Sequence, residues 1–255
     1  MSHVGSAGFE RRLDELSRSS DSVWLVALTT GLAFTLIAAY PFAHTPSGAF
    51  WAYAGLLIRG GLYLWAGDRL RGRGGDTLET LFYVGLVAGV LEILVDWALI
   101  HWVPTGRLVY LTHDVVVLGS PVYMPLAWAC VIVELSYPAL RWYGAWRRQM
   151  SRVAAAAAVS VSIAVFAGLT VGFYEYFAYR ANWWKYEPAR VMIGDFCALY
   201  IPVGEFLMFL PVIPIMARAL SASDHRRAAT IESGALFGGA IAVGYALAYL
   251  VLEGL

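Results

Sequence analysis

Ionisable side chains within long apolar runs are costly, and this chain has several at one depth. Arg59 lies about ten residues into its apolar run, which is about 15 Å along a helix. Glu92 precedes Trp102 by ten residues, Glu175 precedes Lys185 by ten, and Glu205 follows Asp195 by ten. These four groups share one level near the middle of their runs, while Glu134 falls well toward the other end of its own. Asp96 stands one helical turn above Glu92 on the same face. Three or four carboxylates then face one guanidinium, and in a low-dielectric interior they cannot all ionise. At least one is expected to remain a neutral carboxylic acid, which in an apolar pocket can serve as a general acid. Glu205, Glu92, Glu175 and Asp96 are therefore the candidate catalytic residues, with Arg59 expected to neutralise one carboxylate. Trp97, Phe173, Tyr174, Tyr179 and Phe206 fall within about a turn of them, and aromatic faces can stabilise a cation. Arg59, Trp97, Tyr174, Tyr179 and Asp195 form the candidate substrate-binding set. The blander reading is a structural ion-pair cluster that holds the bundle together, with Trp183, Trp184 and Tyr186 as packing residues or interface anchors.

The elements that position these groups are membrane spans. Hydrophobic residues make up 60% of the 255 and charged residues 14%, with a mean hydropathy of +0.63. That leaves too little polar surface for a soluble fold. Seven segments have the roughly 20 apolar residues a spanning helix needs: about 23–42, 49–67, 80–102, 115–140, 154–180, 192–217 and 229–252. The expected fold is all-α, a single seven-helix transmembrane domain over 21–255 preceded by a cytoplasmic segment, 1–20. That segment is too polar for a signal peptide. Its Phe9, Leu13 and Leu16 share one helical face, which fits a helix lying on the membrane or a solvated tail.

Alternate connections carry the arginines: Arg11, Arg12 and Arg18, then Arg69, Arg71 and Arg73, then Arg141, Arg147, Arg148 and Arg152, then Arg218, Arg226 and Arg227. The positive-inside rule then puts the N-terminus in the cytoplasm and the C-terminus outside. The seventh span holds no lysine for a retinal Schiff base. Lys and Arg together number 18, as do Asp and Glu, so no charge excess points to nucleic acid. Cys130 and Cys197 both sit in apolar runs and suggest neither a disulfide framework nor a zinc cluster.

The chain also repeats itself. Gly85-Leu-Val-Ala-Gly89-Val-Leu-Glu92 matches Gly168-Leu-Thr-Val-Gly172-Phe-Tyr-Glu175, and Asp114-x6-Pro121-Val matches Asp195-x6-Pro202-Val in the same order. This reads as a parallel duplication of helix pairs, spans 3–4 and 5–6, over about 80–140 and 160–217. The glycines are expected to let helices approach closely. Pro121, Pro125, Pro202, Pro211 and Pro214 interrupt the returning helices, as where a span lines a cavity or packs on a neighbour.

Trp184-Lys-Tyr-Glu-Pro188-Ala-Arg190-Val-Met-Ile-Gly194, with Ile201-Pro202-Val-Gly-Glu205-Phe-Leu-Met-Phe, resembles the repeat of integral-membrane lycopene cyclases. Those proteins consist of a tandemly duplicated helical domain with a Trp-aromatic-x-Pro loop followed by Pro-x-Glu-Glu. Gly119-Ser-Pro121-Val-Tyr-Met-Pro125-Leu-Ala-Trp128 is similar to a stretch of the related membrane carotenoid hydratases. The likeness covers about residues 80–215. At the Glu-Glu position this chain has Gly204-Glu205, and the first copy has Tyr123-Met124. The resemblance therefore implies the superfamily: cofactor-independent protonation of a C=C bond in an isoprenoid or polyene, leading to cyclisation or hydration.

On this reading Glu205 protonates the double bond, and Glu92 or Glu175 takes the final proton or orients water. The partners are a hydrophobic isoprenoid or polyene substrate and membrane lipids. No cofactor or metal is expected, because the chain has no phosphate-cradling glycine loop, nucleophile elbow, HExxH or repeated His-x2–4-His pattern. His101, His113 and Asp114 could hold a metal, although boundary histidines are usually only solvated. Two rival classes remain open: a transporter or lipid-binding protein using the same midplane cluster, and a non-catalytic subunit of a membrane complex. The orientation has a direct test. A reporter fused after Leu255 is expected to read outside and one inserted near Arg148 cytoplasmic; the opposite pattern overturns the orientation.

Overall fold

A computed structural model of the chain describes residues 6–112, 114–221 and 226–254. The helices are α1 (Ala7–Arg18), α2 (Ser22–Ala39), α3 (Gly48–Arg69), α4 (Gly75–His101), α5 (Met124–Trp146), α6 (Arg152–Arg180), α7 (Tyr200–Phe209), α8 (Val212–Ser221) and α9 (Arg226–Leu252). Short strands follow α4 and α6. They are β1 (Leu108–Tyr110), β2 (Val116–Val117) and β3 (Ser120–Pro121), then β4 (Trp184–Tyr186), β5 (Met192–Ile193) and β6 (Cys197–Ala198).

The architecture is all-α apart from these strands. α2, α4, α6 and α9 are long and apolar enough to cross a membrane, and α7 with α8, bent by 44° at their break, raises the number to five. α3 and α5 have the length, at 22 and 23 residues, but not the apolar content. Large apolar side chains also face outward, with Leu169 67% and Val251 79% exposed. Helices apolar on their outer faces as well as their inner ones belong in lipid. By length and composition this is a multi-pass membrane protein.

Two expected spans begin later than their apolar runs. Residues 116–121 form an antiparallel hairpin, Val116 opposite Pro121 and Val117 opposite Ser120. Leu118 and Gly119 turn it at φ 53° and 90°, the paired positive φ of a tight primed turn. The helix starts only at Met124, with Pro125 in its first turn, where a missing N–H costs nothing. In the second half Met192–Ile193 pairs with Cys197–Ala198, with Gly194 at φ 56°, and α7 starts at Tyr200. Leu210 and Pro211 then separate α7 from α8.

α4 packs against α3, α5 and α9, and α7 against α6 and α9. Glycine permits these contacts. A Cβ on Gly85 would lie 2.6 Å from the Ala129 Cα, and one on Gly89 2.7 Å from the Pro125 Cα. A Cβ on Gly168 would lie 2.9 Å from the Pro202 carbonyl oxygen, whereas one on Gly172 would meet nothing within 4 Å. The expected close approach holds for three of these four glycines.

α1 departs from expectation. Phe9, Leu13 and Leu16 are buried on the protein itself, against α5 and α8, and Phe9 stacks on Tyr143 at 5.7 Å. Ion pairs of Arg147 with Glu10 and of Arg12 with Asp76 fasten the polar side. The apolar face is covered by α5 and α8 and is neither a membrane face nor a solvated tail.

The two glycines at equivalent repeat positions should respond oppositely. Gly89→Ala is expected to lower stability by about 1–3 kcal/mol through overpacking. Gly172→Ala should be neutral or stabilising by up to about 1 kcal/mol, since alanine is the better helix former. Thermal unfolding in detergent measures both, and equal losses would refute the packing assignment.

Candidate functional site

Four carboxylates meet inside the bundle. α4 supplies Glu92 and Asp96, α6 supplies Glu175 and α7 supplies Glu205, each between 2% and 5% exposed. Glu205 lies within electrostatic reach of Glu92 and Glu175, and Glu175 within reach of Asp96. Among the described residues none of the four has an ion-pair partner; neutral donors cover them instead. Tyr110 and Ser120 both donate to Asp96 Oδ2, the serine at 2.6 Å. Trp184 Nε1 donates to Glu175 Oε2 at 2.5 Å, and the Tyr245 hydroxyl donates to Glu205 Oε1 at 2.9 Å. Glu92 lies beside Asp96 and Trp128, and its Oε2 has no hydrogen-bond partner among the described residues.

The strands place two of these donors. β1 runs antiparallel to β4 with Tyr110 opposite Trp184, their rings edge-on at 6.0 Å. Each side chain caps a carboxylate of the helix before its strand. Burial pushes the Tyr110 and Tyr186 hydroxyls well above the ordinary tyrosine range, with Asp96 and Glu175 respectively adding to the effect. Both phenols therefore stay protonated as donors. Of the two readings offered for Trp183, Trp184 and Tyr186, packing fits: all three are buried, and Trp183 Nε1 donates to the Gly48 carbonyl at 2.7 Å.

Arg59 does not join this cluster. Its Nη1 donates to Glu134 Oε1 at 2.6 Å, so the expected pairing with a midplane carboxylate of the cluster is corrected, as is the separate level given to Glu134. The reason is the β2–β3 hairpin. Because α5 begins at Met124, Glu134 sits about ten residues into its helix, about 15 Å, the depth of Arg59. Gly31 makes room for the pair, since a Cβ there would fall 2.7 Å from Arg59 Nη1.

The aromatic set divides. Tyr174 packs on Trp183 and Trp184, with centroids at 6.1 and 5.9 Å, and lines the cleft that holds Arg59. Trp97 packs on Trp102 and His101 at the end of α4, and Tyr179 meets His44 edge-on. Phe173 is 71% exposed, turned away from the carboxylates. Asp195 is exposed in the β5–β6 turn and contributes nothing to the cluster. His3, His113 and His225 lie outside the described residues, and with His113 the metal reading through His101 and Asp114. Tyr245, Tyr110 and Ser120 were not among the sequence candidates.

Tyr245 packs directly on the residue before Glu205. A Cβ on Gly204 would collide with the Tyr245 ring, and a Cβ on Gly244 would lie 2.8 Å from the Gly204 carbonyl. The close α7–α9 contact leaves no room for a side chain at 204, and its tyrosine caps Glu205. At the strand end of the bundle a cavity of about 320 Å³ is lined by Arg107, Tyr110, Thr112 and Glu187. Tyr110 thus stands between this cavity and Asp96.

A family model described as Domain of unknown function (DUF6989) matches residues 93–252, taking in Asp96, Glu134, Glu175, Glu205 and Tyr245. No curated protein and no solved structure matches the chain.

The Arg59–Glu134 pair yields a stability test. Arg59→Leu alone is expected to cost about 3–5 kcal/mol by leaving Glu134 buried without its partner. The double variant Arg59→Leu/Glu134→Leu should recover most of that loss, because an apolar pair removes both charges. Equal unfolding temperatures of the single and double variants in detergent would refute the pairing.

Proposed function

The chain belongs to the DUF6989 family, and from that premise we propose that it performs acid chemistry on an isoprenoid double bond within the membrane. The observation that carries this reading is the cluster of buried carboxylates held by neutral donors, with no cation paired to it among the described residues. Such acids retain protons to give, and a dry site prevents the proton from being lost to water. The resemblance to membrane lycopene cyclases and carotenoid hydratases points the same way.

In the proposed reaction the Glu205 carboxyl transfers its proton to one carbon of a C=C bond, leaving a carboxylate and a carbocation. The Tyr245 hydroxyl, already bonded to Glu205, stabilises the carboxylate. In a cyclase a second C=C attacks the cation, and loss of a proton to Glu92 or Glu175 restores neutrality, so the product is an isomer of the substrate. In a hydratase a water molecule adds to the cation and the same groups remove its extra proton. No cofactor takes part in either course.

This reading takes α2, α3, α4, α5, α6, α7–α8 and α9 as seven spans, with the N-terminus cytoplasmic and the C-terminus outside. It also takes the two halves as a parallel repeat. The element order α4-β1-β2-β3-α5 recurs as α6-β4-β5-β6-α7, with β1 beside β4, which supports that view. The strand-end cavity reaching Tyr110 favours one rival, a transporter that exchanges protons through the same carboxylates.

Expression in a carotenoid-producing host separates the two, since only an enzyme alters the pigment profile. With an active protein, Glu205→Gln is expected to fold and insert normally and to lose turnover by ~10²–10⁴. Tyr245→Phe should lose about fivefold, as for one neutral hydrogen bond. Full activity of a stable Glu205→Gln variant would sink the mechanism.

A further inference from the structure

The cavity of about 320 Å³ at the strand end of the bundle has room for several water molecules. Arg107 and Glu187 supply charge to its lining. Arg107 donates through Nε to the Val103 carbonyl at 2.9 Å and has no ion-pair partner among the described residues, so its charge faces water. Tyr110 also lines the cavity, and its hydroxyl donates to Asp96 Oδ2, the atom that Ser120 reaches at 2.6 Å. Asp96 in turn is hydrogen-bonded to Glu92, one turn away on α4. Tyr110, Asp96 and Glu92 are consecutive links of one hydrogen-bonded line that begins at the cavity wall.

Ionised carboxylates only accept hydrogen bonds, so a bond between Asp96 and Glu92 requires a proton on one of them. Asp96 already accepts from Tyr110 and Ser120, donors that favour its charged form, so the proton belongs to Glu92. Glu92 is only 2% exposed, and its Oε2 has no partner among the described residues. An acid bonded on one side to a relay and unpartnered on the other is placed to pass a proton inward. We propose that the strand-end cavity is the port through which protons reach the carboxylate cluster from water, with Tyr110 as the relay and the Asp96–Glu92 pair as the first station. A hydronium ion in the cavity gives a proton to the Tyr110 oxygen as the phenol gives its own to Asp96 Oδ2, which restores the phenol and leaves water. The pair then holds two protons, and transfer of one from Glu92 to a base in the interior returns it to one. Water itself stops at Tyr110. The port serves an acid catalyst and a proton-coupled transporter alike, so this inference does not rest on the chemistry at Glu205.

The test transfers the full chain, in phosphatidylcholine nanodiscs, from water to deuterium oxide. Infrared absorption follows the C=O stretch of protonated carboxyl groups, which moves to lower wavenumber when deuterium replaces the proton. Loss of a component in Glu92→Gln identifies the band of the pair. Tyr110→Phe, which keeps the ring but not the hydroxyl, is expected to slow exchange of that band at least about fivefold, as for one neutral hydrogen bond lost from the transfer. A second variant closes the port without touching the relay. Val116→Cys puts a thiol on the exposed cavity wall, while Cys130 and Cys197 are buried. A bulky methanethiosulfonate reagent on that thiol should slow exchange by a similar factor, and the unlabelled variant should exchange as the wild type does. Unchanged exchange in a folded Tyr110→Phe variant, or in labelled Val116→Cys, would overturn the proposal. So would a wild-type spectrum without the Glu92 band, since the pair would then hold no proton. Turnover of Glu205→Gln is a separate readout: its loss with unchanged exchange sinks the port alone, and its retention with slowed exchange sinks the acid mechanism alone.

Discussion

Four carboxylates share one buried interior with no cation paired to them among the described residues, and much of the architecture follows from covering them. An uncompensated buried ion costs several kcal/mol, whereas a neutral hydrogen bond returns about 1 kcal/mol net. Neutral donors therefore suffice only if the cluster is not fully ionised. The donors come from distant parts of the chain: Tyr110 and Ser120 from strands after α4, Trp184 from the strand after α6, and Tyr245 from the last helix. Glycine makes the approach close enough, at Gly85 and Gly89 between α4 and α5 and at Gly204 and Gly244 between α7 and α9.

The arginine in the membrane is kept apart from this cluster. Paired with Glu134, Arg59 forms a neutral unit with its own cleft, and Tyr174 lies between the two sites. An arginine beside Glu205 would favour its ionised form. With the ion pair set apart, the carboxylates are covered by neutral donors among the described residues.

The depth of Glu92 was legible because a helix converts residue number directly into distance: it lies about nine residues from the end of α4, near the expected ten. Glu175 and Glu205 each lie five residues from a helix end instead, because α6 stops at Arg180 and α7 starts at Tyr200. The close packing at Gly85, Gly89 and Gly168 was legible for a similar reason, since a small residue at helical spacing marks a face. Glu134 was misplaced because Val116, Val117 and Val122 look like the start of a span, while the turn at Leu118-Gly119 makes them a hairpin. The caps were not legible at all. Strands of two or three residues carry no periodicity, and nothing near Tyr110 in the sequence announces that Trp184 lies opposite it. Asp195 misled through its place in a repeated motif: Pro121 ends a strand whereas Pro202 lies in the first turn of α7, so the two matched segments differ in structure.

The ladder between β1 and β4 has a consequence for how the chain is made. Synthesis runs from the N-terminus, so Tyr110 and Asp96 leave the ribosome well before Trp184 exists. Until β4 is added, the first pair of carboxylate-bearing helices has no strand to lie against, and the tyrosine over Asp96 is unlatched. β1 therefore gains its strand partner only once β4 has been made.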